Sequence, residues 1–314
     1  MEIITGILIV VGLILFEVIS SIDNAVINAE VLGTMSKKAR KWFLFWGILF
    51  AVFLIRGLLP WLIIWATVPK LGFIGSFLAA FSSDPLVMEA VDKSAPVLLA
   101  GGGMFLVFLF FHWLFLEPKN FGLHTEKFFA KQGVWFYAVV SIGLSAFVWY
   151  ALQINQYMAF GAVLGSTAFF ITHGFKQNAE KMEHEMLHKG SLTDWSKIMY
   201  LEVIDATFSI DGVLGAFAFT LSVPLILIGN GIGAIVVRYM TTSNIEAVKK
   251  YKYLKNGAMY SVFALGVIML VDSFGVHVPS WISPVVTITV LAYFFLKSKR
   301  ELTLPAHKTP GHTH

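Results

Sequence analysis

Two short acidic motifs sit inside runs apolar enough to cross a bilayer, and this restricts the possible folds more than any other property of the chain. The first is Glu17-Val-Ile-Ser-Ser21-Ile-Asp23-Asn24, within the apolar run 3–32. The second is Asp205-Ala-Thr-Phe-Ser209-Ile-Asp211-Gly212, within 198–221. Both read as an acid, three residues, Ser-Ile-Asp, then Asn or Gly. Ionisable groups at membrane depth cost several kcal/mol each, so they mark pathways or binding sites by default.

The rest of the chain supports a membrane setting. It is 57% hydrophobic and 13% charged over 314 residues, which points away from a soluble domain. Segments long enough to span are 3–32, 42–66, 95–116, 133–152, 157–175, 198–221, 224–240, 257–272 and 281–297, about nine in all. The piece 72–81 is too short and is expected to lie at the interface or to re-enter. No cysteine is present, which excludes disulfides and thiolate metal sites. Glu17 interrupts the first apolar run, so that run is not expected to be a secretory signal.

Lys and Arg collect in alternate loops, near 37–41, 117–133, 176–197 and 241–256, and in the tail from Lys297. The other loops hold only Lys70 and Lys93. The net charge of +4 is therefore topological and not a nucleic-acid footprint. The positive-inside rule puts the N-terminus outside and the C-terminus in the cytoplasm. The first and sixth spans then run antiparallel, as inverted-topology repeats do, with a site near the midplane between them. The expected division is 1–116 for the first repeat, 117–197 for inserted helices and a charged cytoplasmic loop, 198–300 for the second repeat, and 301–314 for a disordered tail.

At about 100° per residue, Glu17, Ser20, Ser21, Asn24 and Asn28 form one stripe, flanked by Asp23 and Glu30. On the sixth span Asp205, Ser209, Gly212 and Ala216 form another, with Glu202 on one side and Asp211 on the other. Gly212 and Gly215 allow close helix approach, and the Ser-Ile-Asp turn is a possible helix break. Three things could neutralise the acids: protonation, Arg56 and Arg238 on the following spans, or a bound cation. Carboxylate, carboxamide and hydroxyl oxygens suit Mn²⁺, Mg²⁺ or Ca²⁺, and ligand type does not choose among these. The candidate metal ligands are Glu17, Asp23, Asn24, Glu202, Asp205 and Asp211. Asn28, Ser209 and Asn230 are secondary polar candidates. Arg56 and Arg238 are assigned to charge pairing or gating.

The first motif resembles the E-x3-S-[IV]-D-N signature of the TerC family of integral membrane proteins. Leu201, Glu202, Asp205 and Asp211 resemble that family's second element, L-x-E-x2-D-x5-D, and the match continues through Phe217, Thr220, Asn230 and Arg238. Trp46-Gly47-Ile48 and Arg56 match the segment after the first motif. Gly212-Val213-Leu214 stands where the family often has Ser-Ile-Pro, so the chain reads as a divergent member. The resemblance implies a transporter of metal cations in the cell membrane, chiefly for manganese export. A calcium or other cation/proton antiporter is the alternative. The chain is not expected to be an enzyme or to hold a resident cofactor; its expected partners are lipid and the transported ion.

One motif favours another class. His184-Glu185-Met-Leu-His188 fits H-E-x-x-H, the zinc and general-base pattern of a metalloprotease. Its surroundings, Lys176–Lys189, read as a charged, solvated helix with no third ligand, which argues against that chemistry. His112, His173 and Asp272 read as isolated span-end or packing residues. His307, His312 and His314 lie in the tail.

Overall fold

In a bilayer, apolar side chains gain little by leaving lipid, so helices associate through close packing, and small residues decide where backbones can meet. The computed structural model describes residues 2–47, 49–50, 57–58, 61–62, 65, 71–81, 85–119, 122–188, 193–243 and 250–303. The described residues form helices and turns without a strand.

The helices are α1 (Glu2–Ser20), α2 (Ile22–Gly33), α3 (Lys37–Trp42), α4 (Gly72–Phe81), α5 (Pro85–Leu116), α6 (His124–Ala130), α7 (Phe136–Leu152), α8 (Gln156–His188), α9 (Asp194–Ala216), α10 (Val223–Ser243), α11 (Leu254–Ser273) and α12 (Ile282–Thr303). Among the described residues, seven helical stretches are long and apolar enough to cross a bilayer: Ile3–Ser20, Ser94–Leu116, Gly133–Leu152, Gln156–Asn178, Val223–Thr241, Leu254–Ser273 and Ile282–Thr303. The chain is thus an all-helical, polytopic membrane protein. The ninefold expectation differs at two places. Helix α9 carries three acids, Glu202, Asp205 and Asp211, inside its apolar stretch, and most of 42–66 lies outside the described residues. The short apolar piece forms the ten-residue helix α4.

Glycines on α5 set the centre of the bundle. Helix α8 crosses α5 so closely that a Cβ at Gly165 would run into the Gly101 carbonyl, and one at Gly161 into that of Val97. On the nearly opposite face of α5, a Cβ at Gly103 would stand 2.9 Å from the Gly266 carbonyl of α11. Large side chains then fill the space around these contacts. Phe105, Phe108, Phe136, Met158 and Phe169 are fully buried in one core that also draws on α1, α9, α10 and α11. The helices expected as an insertion between repeats, α7 and α8, therefore belong to the central core.

Helix α1 packs through α10. Leu13 fills the space above Gly229, and Glu17 that above Gly233. A second core joins α2 and α3 to α9 through Val31, Leu32, Met35, Phe43, Ile198, Leu201 and Ile204.

A buried polar column between α1, α2, α9 and α10

The first acidic motif does interrupt its helix. Ser21 (φ −91°, ψ 6°) separates α1 from α2. The hydrogen-bond ladder nevertheless passes through it, from the Ser21 amide to the Glu17 carbonyl (3.1 Å) and from the Ala25 amide to the Ser21 carbonyl (2.9 Å). A hydroxyl accompanies the local distortion: Ser20 donates to the Glu17 carbonyl at 3.3 Å, and such back-bonding bends helices, while Ser21 donates to the Glu17 side chain at Oε1, 3.1 Å away. The second motif, by contrast, lies in an unbroken helix, α9.

The two motifs face one another on antiparallel helices. The Glu17 carboxylate lies against Gly212, where a Cβ would stand 2.6 Å from Oε2. Further along, Asn24 Nδ2 donates to Asp205 Oδ1 at 2.6 Å. At the end of α2, Lys197 Nζ donates to the Thr34 carbonyl (3.2 Å) and hydroxyl (3.0 Å). The Ser36 hydroxyl donates to Asp194 Oδ2 at 2.5 Å. Residue numbers rise along one helix as they fall along the other.

Arg238 of α10 closes the column on its third side. Its Nη2 donates to Asp205 Oδ2 at 3.3 Å, its Nη1 to the Phe43 carbonyl at 3.4 Å, and its guanidinium lies 4.1 Å from the Phe43 ring centre. Gly47 is packed between this group and Glu202; a Cβ there would stand 2.9 Å from Arg238 Nη1 and overlap Glu202 Oε1. Ser209 donates to the Asp205 carbonyl at 2.6 Å. Asn230 donates to the Gly212 carbonyl at 3.5 Å. Glu17, Asn24, Asn28, Glu202, Asp205, Ser209, Asn230 and Arg238 are all buried. Beside Glu202 a groove of about 590 Å³ is lined mostly by Trp42, Trp46, Trp195, Phe50 and Met199.

Among the described residues, the column has buried acceptors that nothing answers: Asn24 Oδ1, Asn28 Oδ1, Asn230 Oδ1 and both Glu202 oxygens receive no hydrogen bond there. A buried acceptor left unmade costs about 1–3 kcal/mol. Unanswered oxygens are a demand for protons, water or a cation.

Other expected site residues fall elsewhere. Asp211 turns away from the column and pairs with Lys176 of α8, because the six residues from Asp205 carry it to a different helix face. Glu30 is exposed. The Asp23 side chain and Arg56 lie outside the described residues, as do the side chains of His184, Glu185 and His188 and the tail from 304. Helix α8 does run unbroken through His188. Among the described residues, no three His, Asp or Glu side chains stand close enough to hold a metal ion. His112 and His173 are not isolated: their rings touch, with centres 3.8 Å apart. They lie on separate spans, and neither sits in a motif that would flag their meeting.

The contact between Ser36 and Asp194 yields a direct test. The Ser36 hydroxyl holds the Asp194 carboxyl below its usual value, helped by the Ser36 amide and Lys197. A lowered carboxyl contributes its stability above the ordinary carboxylate value and loses it as pH falls through the folded-state value. In Ser36→Ala, an NMR titration of Asp194 is expected to move up towards about 3.9. An unmoved titration would show that the serine is not the cause.

A polytopic helical membrane protein with a buried polar column is the class that this arrangement defines. The profile of a family described as "Protein of unknown function (DUF475)" matches residues 22–302, and the chain belongs to that family. No curated protein and no solved structure matches the chain.

Proposed function

We propose that this protein carries a divalent metal cation across the membrane, using the column between α1, α2, α9 and α10 as its site. The observation that carries the reading is the set of oxygens on Asn24, Asn28, Asn230 and Glu202 left unanswered among the described residues, together with the bond between Asn24 and Asp205. All are hard oxygen donors, suited to Mn²⁺, Mg²⁺ or Ca²⁺. Glu17, Glu202 and Asp205 supply charge, Asn24 and Asn28 neutral oxygens, and Asp23 stands on the same motif. Arg238 holds Asp205 when the cation is absent and yields it as the cation arrives.

Resemblance to the TerC family makes manganese the first candidate and export from the cytoplasm the direction, with calcium as the alternative. Antiparallel packing of the two motifs supports a pair of inverted repeats rocking about the site. The cell membrane, with the N-terminus outside, is the setting implied by the basic loops.

Calorimetry on purified protein with Mn²⁺, Mg²⁺, Ca²⁺ and Zn²⁺ tests this. Saturable Mn²⁺ or Ca²⁺ binding is expected in the wild type. Removing one charged ligand contact is worth about 1.5–3 kcal/mol, so Asp205→Asn should weaken it roughly tenfold to a hundredfold. Glu185→Gln should leave it intact. Binding of Zn²⁺ alone, lost in His184→Gln or His188→Gln and indifferent to Asp205→Asn, would replace this reading with the H-E-x-x-H site.

A further inference from the structure

The groove beside the column joins an aromatic wall to a buried acid. Trp195, Ile198, Met199 and Glu202 recur at three- and four-residue intervals, so they share one face of α9. Trp42, at the end of α3, and Trp46 stand opposite. The enclosed volume, about 590 Å³, falls within the usual range for a small-molecule site, about 300–1,000 Å³. Its rings meet at steep angles: Trp42 and Trp195 at 73° with centres 5.3 Å apart, and Phe45 and Trp46 at 88° and 5.4 Å. Trp42, Trp46 and Trp195 are exposed. Glu202 is the one ionisable side chain among the described residues that line the groove. It is only 7% exposed, and neither of its carboxyl oxygens has a hydrogen-bond partner among the described residues.

We infer that this groove binds an organic ammonium ion with apolar substituents, its charge on Glu202 and its alkyl groups among the tryptophans. Arg238 does not answer Glu202: its guanidinium is bonded to Asp205 and to the Phe43 carbonyl, and Gly47 lies between the two groups. A metal ion would find no oxygen on the indole wall to replace its water. An alkylammonium holds its water weakly and is drawn to indole faces. An uncharged apolar ligand would bury the Glu202 carboxylate without a partner, which is costly. A lipid ammonium brings its phosphate with it, and no Lys or Arg among the described lining residues would meet that phosphate. The chemistry therefore favours a free ammonium compound.

Glu202 borders both the groove and the column. An ammonium ion in the groove and a metal ion in the column would claim the same carboxylate, so each weakens the binding of the other, by the same factor in both directions. This competition rests on the transport reading above; the ammonium site rests on the groove and on Glu202 alone.

Calorimetry with tetraethylammonium chloride tests the site, on the full chain in phosphatidylglycerol nanodiscs, with sodium chloride at equal ionic strength as the blank. Saturable binding is expected. Glu202→Gln should weaken it roughly tenfold to a hundredfold. Trp46→Leu keeps an apolar side chain but loses the indole face, and should weaken it about twofold to thirtyfold. Trp149→Leu, at an exposed position on α7, should bind as the wild type does. No saturable binding, or equal binding in the wild type, Glu202→Gln and Trp46→Leu, would overturn the site. Binding lost when phosphatidylethanolamine replaces the phosphatidylglycerol would assign the groove to a lipid headgroup and overturn the free-ligand reading. These arms read the groove whether or not any metal binds. The competition is read separately: at half-saturating Mn²⁺, tetraethylammonium should displace the metal. Undiminished binding of both ions together would overturn the competition.

Discussion

Arg238→Met is expected to remove most of the folded protein from detergent extracts. The guanidinium bridges Asp205, the Phe43 carbonyl and the Phe43 ring, and it is only 5% exposed. Removing it leaves the Asp205 and Glu202 carboxylates facing one another's field without this partner. Breaking a buried pair from one side costs about 3–5 kcal/mol, whereas replacing both sides with neutral groups costs far less. The double variant Asp205→Asn/Arg238→Met should therefore recover the monodisperse peak and much of the melting temperature, while on the proposed reading its metal binding stays weaker than in the wild type. Arg238→Lys should fall between, because an ammonium reaches Asp205 or Phe43 but lacks the planar fork to hold both. A wild-type melting temperature for Arg238→Met would show that the column does not depend on this charge.

Gly165→Leu should be as damaging, for a reason unrelated to charge. The obstacle at Gly165 is the backbone carbonyl of Gly101, which cannot rotate aside as a side chain would. Overpacking commonly costs about 1–3 kcal/mol and more where backbones must part. Separating α5 from α8 would also part the contacts of Phe108 with Phe169 and of His112 with His173. Gly143→Leu on α7 is the matched control, since nothing lies within 4 Å of a Cβ there. Thermal melting of the two variants should separate by several degrees. Equal melting temperatures would mean that α5 and α8 do not meet through these glycines.

The polar stripe of the first motif was legible because burial obeys helical period. Glu17, Ser21, Asn24 and Asn28 recur at about one turn and are all buried, while Glu30, off the stripe, is exposed. Gly212 and Gly215 were also legible as contact points; they receive Glu17 and Phe16. Period alone could not choose the partner of each acid. Asp211 sits in a motif parallel to that of Asp23, yet its face of α9 meets Lys176 of α8. The partnership of His112 with His173 joins residues 61 positions apart, and no local pattern encodes it. Gly101, Gly102 and Gly103, with the pair Gly161 and Gly165 four residues apart, did carry a signal for close helix packing. It explains why α8 belongs to the core although the acidic motifs lie on other helices.

The single-residue join at Ser21 places the polar side chains of the first motif on two helices. Glu17 is seated among the glycines of α9 and α10, whereas Asn24 and Asn28 travel with α2, which is tied to α9 at Ser36 and Thr34. Because hydrogen bonds run through the join, the ladder stays continuous across the bend. The spacing between Glu17 and Asn24 is therefore set by the relative tilt of α1 and α2 and by what each helix packs against, and not by side-chain rotamers alone.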